Sequence, residues 1–204
     1  MTETAFNSLE PSGRLCLDFI NTVHWREAAQ PVERLGCFAD LVEWARQMEL
    51  LSPSAAREAL ERARTLPDQD RGTLRHAMSF RETLYRIFIA TIRGQAPEPA
   101  DLEVLTRMAG QAAIASVLVP HGSHFVLRRP DADADLDSML ATIAVSAMEL
   151  LTSPDLRRVR QCADDRGCGL LFFDSSKNQT RRWCSMGICG NRAKRRRNYH
   201  RHRR

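Results

Sequence analysis

No stretch of the 204-residue chain approaches about eighteen consecutive uncharged apolar residues, so no segment reads as a membrane-spanning helix. The opening Met1-Thr2-Glu3-Thr4-Ala5-Phe6 lacks the basic start and apolar run of a secretory signal, and the expected location is cytoplasmic, with no membrane partner. GxGxxG, P-loop, GxSxG and HExxH patterns are all missing. Nothing therefore nominates a nucleophile with its base, no catalytic residue is assigned, and the chain is not expected to be an enzyme. Acid is scarce at one end. Residues 174–204 hold one acidic residue, Asp174, against eleven Lys and Arg, a surplus of ten positive charges. Because the whole chain is only +5, residues 1–173 carry a net −5. A solubility balance would not be split in this way, so the basic end reads as a partner surface or a solvated tail.

Forty-three per cent apolar residues can bury a substantial core, and the length suits a medium domain followed by a small one. In a reducing compartment six cysteines disfavour disulfides. Cys16 and Cys37 read as buried thiols. Cys162, Cys168, Cys184 and Cys189 form two pairs, C-x5-C and C-x4-C, separated by fifteen residues, the arrangement of one tetrahedral zinc site. Five intervening residues make the first loop looser than usual, but Gly167 and Gly169 free its backbone to turn both thiolates inward. Four thiolates fill the shell of one Zn2+ per chain and leave no position for water or substrate, so its role is structural.

Between the pairs, Leu170-Leu171-Phe172-Phe173 predicts a strand, Asp174 to Gln179 a polar turn, and Arg181-Arg182-Trp183 a returning strand. Residues Ala193 to His200 can be helical throughout. Loop, hairpin, second pair and helix give the order of a treble-clef-like finger. Cys184-Ser185-Met186 followed by Cys189-Gly190-Asn191-Arg192-Ala193-Lys194, with Leu171-Phe172-Phe173-Asp174 and Arg181-Arg182-Trp183 before it, resembles the CGNR zinc finger.

Upstream, Leu15 to Val23 is mostly apolar with Asp18, Asn21 and Thr22 embedded, and predicts an early buried helix. Polar groups in such a segment need partners. They either tie neighbouring backbone or line a candidate ligand pocket for a small-molecule effector. This stretch resembles the start of the ABATE domain, the usual N-terminal companion of the CGNR finger. Helical spacing then runs through Phe38, Leu41, Val42, Ala45 and Met48, and Ser52-Pro53 opens a further helix ending near Leu66-Pro67. The longest helix is expected from about Asp70 to Ile92, closed by Gly94, and another from about Pro99 to Gly110 with Leu102, Leu105 and Met108 inward. Ile114 to Val119 and Phe125 to Arg128 predict a β-hairpin, whose His121 and His124 read as a solvated turn rather than a metal pair. Asp131, Asp133, Asp135 and Asp137 do not continue as a calcium loop, since Leu136 and Thr142 stand where glycine and glutamate belong. They favour instead the start of a helix from about Leu136 to Leu151. Ser153-Pro154 marks the boundary, and a short helix from Asp155 to Arg160 should lead into the finger.

The expected fold is α+β: a mostly helical N-terminal domain with a β-hairpin over 1–153, and a four-cysteine finger ending in a basic helix over 154–204. That helix repels itself until an anion neutralises it, and nucleic acid is the natural counterion. The candidate contacts are Lys177, Arg181, Arg182, Asn191, Arg192, Lys194, Arg195, Arg196, Arg197, Tyr199 and Arg203. For Asn191 and Arg192 the alternative is helix capping and compensation of the anionic cluster, while Trp183, Phe172 and Phe173 read as a small core rather than a base-stacking platform. The resemblance implies a bacterial stress-induced transcription regulator that binds DNA; RNA is the next partner, since arginine-rich helices also bind structured RNA. An enzyme or protein-interaction module using the finger for positioning is the remaining alternative.

Overall fold

The computed structural model describes residues 12–65, 67–114, 116–128 and 136–201. Helix α1 (Leu15–Ile20) lies at its centre, with Cys16, Leu17, Phe19 and Ile20 fully buried. A short helix whose only polar residue is Asp18 has little solvent face to offer, and it packs against two longer helices, α4 (Pro67–Ile92) and α6 (Leu136–Thr152). Helix α5 (Pro99–Ile114) joins α4 and α6, and α2 (Phe38–Gln47) and α3 (Pro53–Thr65) close the other side. The Phe19 and Trp44 rings meet with centroids 5.1 Å apart inside this core. Burial raises the Cys16 thiol to about 11, so it behaves as an apolar filler.

The helix punctuation follows the chemistry of the ends. The Ala55 N–H donates to Ser52 Oγ at 3.2 Å, with Pro53 in the first turn of α3. Gly94, at φ +69°, ends α4. Strands β1 (Val23–His24) and β2 (Val32–Glu33) form a minimal antiparallel pair around the loop 25–31. Strands β3 (Val117–His121) and β4 (His124–Arg128) form the expected hairpin, register His121↔His124, turned by Gly122 at φ +60°.

Several elements differ from expectation. Helix α5 continues past Gly110 to Ile114, because Ala112 is buried in its inward stripe. That stripe is Asp101, Leu105, Met108 and Ala112, which leaves Leu102 40% exposed. The phase is set by Asp101, which accepts from Arg86 Nε at 2.8 Å and Nη2 at 2.5 Å. Cys37 is exposed instead of buried, since it stands at the start of α2, where its N–H donates to Asp40 Oδ2 at 2.9 Å. The helix expected over Asp155 to Arg160 is a 3-10 turn, Pro154–Arg158, followed by strand β5 (Val159–Gln161). Val159 is drawn into the main core and pairs with Phe173.

β5 is the antiparallel partner of β6 (Leu171–Phe173), register Arg160↔Phe172, so the first cysteine loop is the tip of this hairpin. Arg181–Trp183 is not a strand. The outer edge of β6 is already occupied, since Leu171 gives both backbone groups to the Asn21 side chain. Fully buried Asp174 also folds the following segment into a turn, accepting from Ser176 N at 2.9 Å and Arg181 N at 2.9 Å. Asp131, Asp133 and Asp135 lie outside the described residues. Among those described, no helix is long and apolar enough to cross a membrane.

Candidate metal centre and nucleic-acid interface

The four predicted cysteines converge. Their sulfur atoms all lie within 4.8 Å of one another, with Cys168 to Cys184 and Cys184 to Cys189 both at 3.7 Å. A tetrahedron of metal–sulfur bonds near 2.3 Å has edges of about 3.8 Å, so the cage has the size of a single bound ion. The Cys184 N–H points at Cys162 Sγ at 3.4 Å, the kind of contact that supports a thiolate. Protons fit the cage badly. Hydrogen bonds from Cys168 and Cys184 lower the Cys162 thiol, and the same crowding of sulfurs raises Cys184. One divalent cation at the centre relieves this by accepting from all four sulfurs, which is the chemistry of a four-thiolate donor set.

Local sequence explains the cage. Gly167 and Gly169 stand at φ +88° and +65°, turning the first loop so that both its thiolates face inward. A Cβ on Gly167 would also lie 2.5 Å from Ala28 N, so the position admits no side chain. The loop between β1 and β2 presses here. Arg26 N–H donates to Cys168 O at 3.3 Å and Glu27 N–H to Gly167 O at 3.1 Å. On the other side, residues Met186–Gly190 form a single π-helical turn, started by Ser185, that holds Cys189 and leads into α7 (Asn191–Arg201).

The predicted nucleic-acid residues divide into two groups. Arg192 is held inside the molecule: Nη1 meets buried Asp164 at 2.9 Å and the guanidinium lies 4.5 Å from the Trp25 ring centroid. Arg196 pairs with Asp165 of the same cysteine loop. Arg181 donates through Nε to Trp183 O at 2.9 Å, donates to Cys184 O, and covers the Phe172 ring. Asn191 Nδ2 donates to Gly187 O at 3.1 Å. By contrast Lys177, Arg182, Lys194, Arg195, Arg197 and Tyr199 are exposed, and no acid pairs with Lys177, Arg182, Lys194, Arg195 or Arg197 among the described residues. Arg203 lies outside the described residues. Phe172 and Trp183 pack with the cysteines as a small core, while Phe173 joins the main one.

The three residues of the candidate effector pocket all have partners within the chain. Asp18 Oδ1 accepts from Ser12 N at 2.7 Å, Asn21 holds Leu171, and Thr22 Oγ1 donates to Phe19 O at 2.8 Å while accepting from Arg81 Nη1 at 3.0 Å. They are therefore dispersed over three tasks. Arg81 in turn grips Glu33 at 2.6 Å and Glu82 at 2.9 Å, and Arg26 grips Glu82 at 2.5 Å, a network of two buried cations and two partly exposed carboxylates beside the β1–β2 loop. Partial burial pushes both carboxyls up, but the arginines hold them below the ordinary glutamate range.

Sequence reasoning passed over Asp164, Asp165 and Trp25. The adjacent acids were the available signal, because they are the only two between the first pair of cysteines and they face a helix of surplus arginines.

No curated protein matches the chain. Residues 13–154 match the family model ABATE, described as a putative stress-induced transcription regulator, and residues 158–202 match the model of the CGNR zinc finger. The first match alone spans most of the chain, so the family is settled: this protein belongs to the ABATE family and carries a CGNR zinc finger at its C-terminal end.

Proposed function

We propose that this protein is a bacterial, cytoplasmic transcription regulator that binds duplex DNA through α7, with one structural zinc ion held by Cys162, Cys168, Cys184 and Cys189. The thiolate tetrahedron supports zinc, which has no geometric preference of its own and takes soft sulfur ligands. The ion fixes the pose of α7 on the hairpin and supplies no open coordination position.

The observation that carries the DNA reading is the partition of charge around α7. At about 100° per residue, Arg192 and Ala193 mark the inward side, and both are half-buried, whereas 194 to 199 are exposed. Asn198 stands near the middle of the outward side. Arg195 lies on one flank, and Lys194 and Arg197 on the other. A helix with cations along both flanks matches the major groove, where a phosphate backbone runs on each side of an inserted helix. The deep, narrow major groove of an RNA duplex does not admit one.

Binding of the zinc-loaded full-length protein to a random duplex pool at about 150 mM salt, with structured RNA as competitor, tests this. Duplex DNA should be retained, with log affinity falling against log salt at a slope of roughly −4 to −5 for five open cations. Displacement by RNA, or no retention at low salt, would overturn it. Zinc is tested by stoichiometry: one ion per chain, lost in Cys184→Ser.

A further inference from the structure

An open groove of about 660 Å³ separates α7 from the first cysteine loop. Arg166 contributes from the loop; Ile188, Arg192, Arg195, Arg196 and Tyr199 contribute from the π turn and α7. We infer that this groove holds one phosphodiester strand of the DNA, with Arg166 as a phosphate contact on the wall opposite Arg195. The inference rests on the DNA-binding reading above.

Charge bookkeeping across the groove is uneven. Asp164 and Asp165 are the loop's acids, and both are consumed by Arg192 and Arg196. Those pairs tie the loop to α7 and leave their own charges cancelled. What remains uncompensated is one guanidinium on each wall, Arg166 and Arg195, neither with an ion-pair partner among the described residues. Two like charges facing one cleft repel until an anion enters between them. The groove is also apolar along one side, where Ile188 is 41% and Tyr199 54% exposed. A strand that alternates phosphate with sugar offers an anion and an apolar surface in turn, and the planar, forked guanidinium suits phosphate oxygens. An acidic peptide would supply the charge without the regular sugar face.

The position also fits the docking of α7. With Asn198 turned toward the floor of a major groove, the Arg195 flank faces one bordering strand. The cysteine loop then reaches across the same strand from outside. Arg166 would therefore extend the contact beyond the helix, and its role is independent of base sequence.

The test uses the full-length, zinc-loaded protein and a fluorescent 20-base-pair duplex titrated over a range of salt. Arg166→Gln should weaken binding about five- to tenfold near 150 mM salt, equally on unrelated duplexes, and make the salt slope shallower by about 0.9. Arg166→Lys should keep the wild-type slope, and Arg57→Gln, on α3, should change nothing. Zinc content and melting temperature should be the same in all variants. If wild-type protein binds and Arg195→Gln flattens the slope while Arg166→Gln does not, the groove inference falls and the DNA reading stands. If Arg166→Lys is as impaired as Arg166→Gln, the effect is on loop shape and the phosphate contact is overturned. If wild-type protein binds no duplex at low salt, the DNA reading itself fails.

Discussion

The carboxamide of Asn21 takes both backbone groups of Leu171, donating to its carbonyl at 2.7 Å and accepting from its N–H at 3.0 Å. One side chain thus acts as a third strand along the outer edge of β6. It joins the end of α1, the most buried helix, to the hairpin that carries the metal cage. The same junction is reinforced by Arg14, which pairs with Asp155 at 2.9 Å and covers the Phe173 ring at 4.5 Å.

Asn21→Ala should therefore act on stability. It leaves a buried N–H and a buried C=O without partners, at a cost of about 2–4 kcal/mol. Denaturant unfolding should show that loss, and hydrogen exchange at Leu171 should become fast while zinc content stays at one per chain. Unchanged stability in this variant would remove the strand-mimic role.

A second junction is the stack of Arg192 on Trp25. Arg192→Ala should be the costlier change, because Asp164 is nearly inaccessible and would lose its ion-pair partner, keeping only the Arg166 backbone N–H. The expected cost is about 2–4 kcal/mol, reduced from the fully buried case because Arg192 itself is 22% exposed. Trp25→Leu removes only the cation–π contact and part of the packing, about 1 kcal/mol. Thermal melts of the two variants should separate these effects. A double variant less destabilised than the sum would show that the two residues act as a unit. Equal costs for the single variants would sink this ordering.

The contrast between these junctions and the isolated motifs shows what a sequence can carry. Cys162, Cys168, Cys184 and Cys189 were legible because metal chemistry demands four soft ligands in close succession. Helices α2, α3, α4 and α6 were legible because each is amphipathic over many turns and has its own start and stop residues. The partner of β6 was not. Leu170 to Phe173 announces a strand, but its neighbour could lie on either side in the chain, and Asn21, some 150 residues away, decides it. Arg181, Arg192 and Arg196 looked like their neighbours in a basic run, and charge counting cannot tell a cation turned to solvent from one turned to Asp164 or a carbonyl oxygen. The exposure of Leu102 has the same origin, because the pairing of buried Asp101 with the exposed Arg86 rotated α5 away from its apolar spacing.

Stability should depend on pH through His24. Burial, helped by the neighbouring Arg34, lowers its imidazole from 6.5 to about 4. Arg34 Nη2 lies 3.2 Å from Nδ1 and so favours the unprotonated nitrogen. The folded state then binds fewer protons than the unfolded chain. The stabilisation is full above about pH 6.5 and is lost as pH falls from there toward 4. Glu33 and Glu82, held down by their arginines, lose theirs only at lower pH. Urea midpoints measured between pH 7.5 and 4.5 should fall in the wild type and fall less in His24→Gln. Parallel curves for the two proteins would exclude His24 as the source.

The outward face of α7 predicts how specificity and affinity divide. Asn198 is exposed and lies between the flanking cations; in the proposed docking its carboxamide would meet a base edge, with adenine the matching partner. Arg197 lies to one side, where a phosphate would be. Asn198→Ala should therefore lower binding to a selected motif about tenfold and leave binding to random duplex nearly unchanged. Arg197→Gln should weaken both by a similar factor and flatten the salt slope by about 0.9. Competition of selected against random duplex, at two salt concentrations, reads both quantities at once. Should Asn198→Ala weaken both duplexes alike, α7 sits with another face toward the bases, and the side carrying Lys194 and Arg197 becomes the next to test.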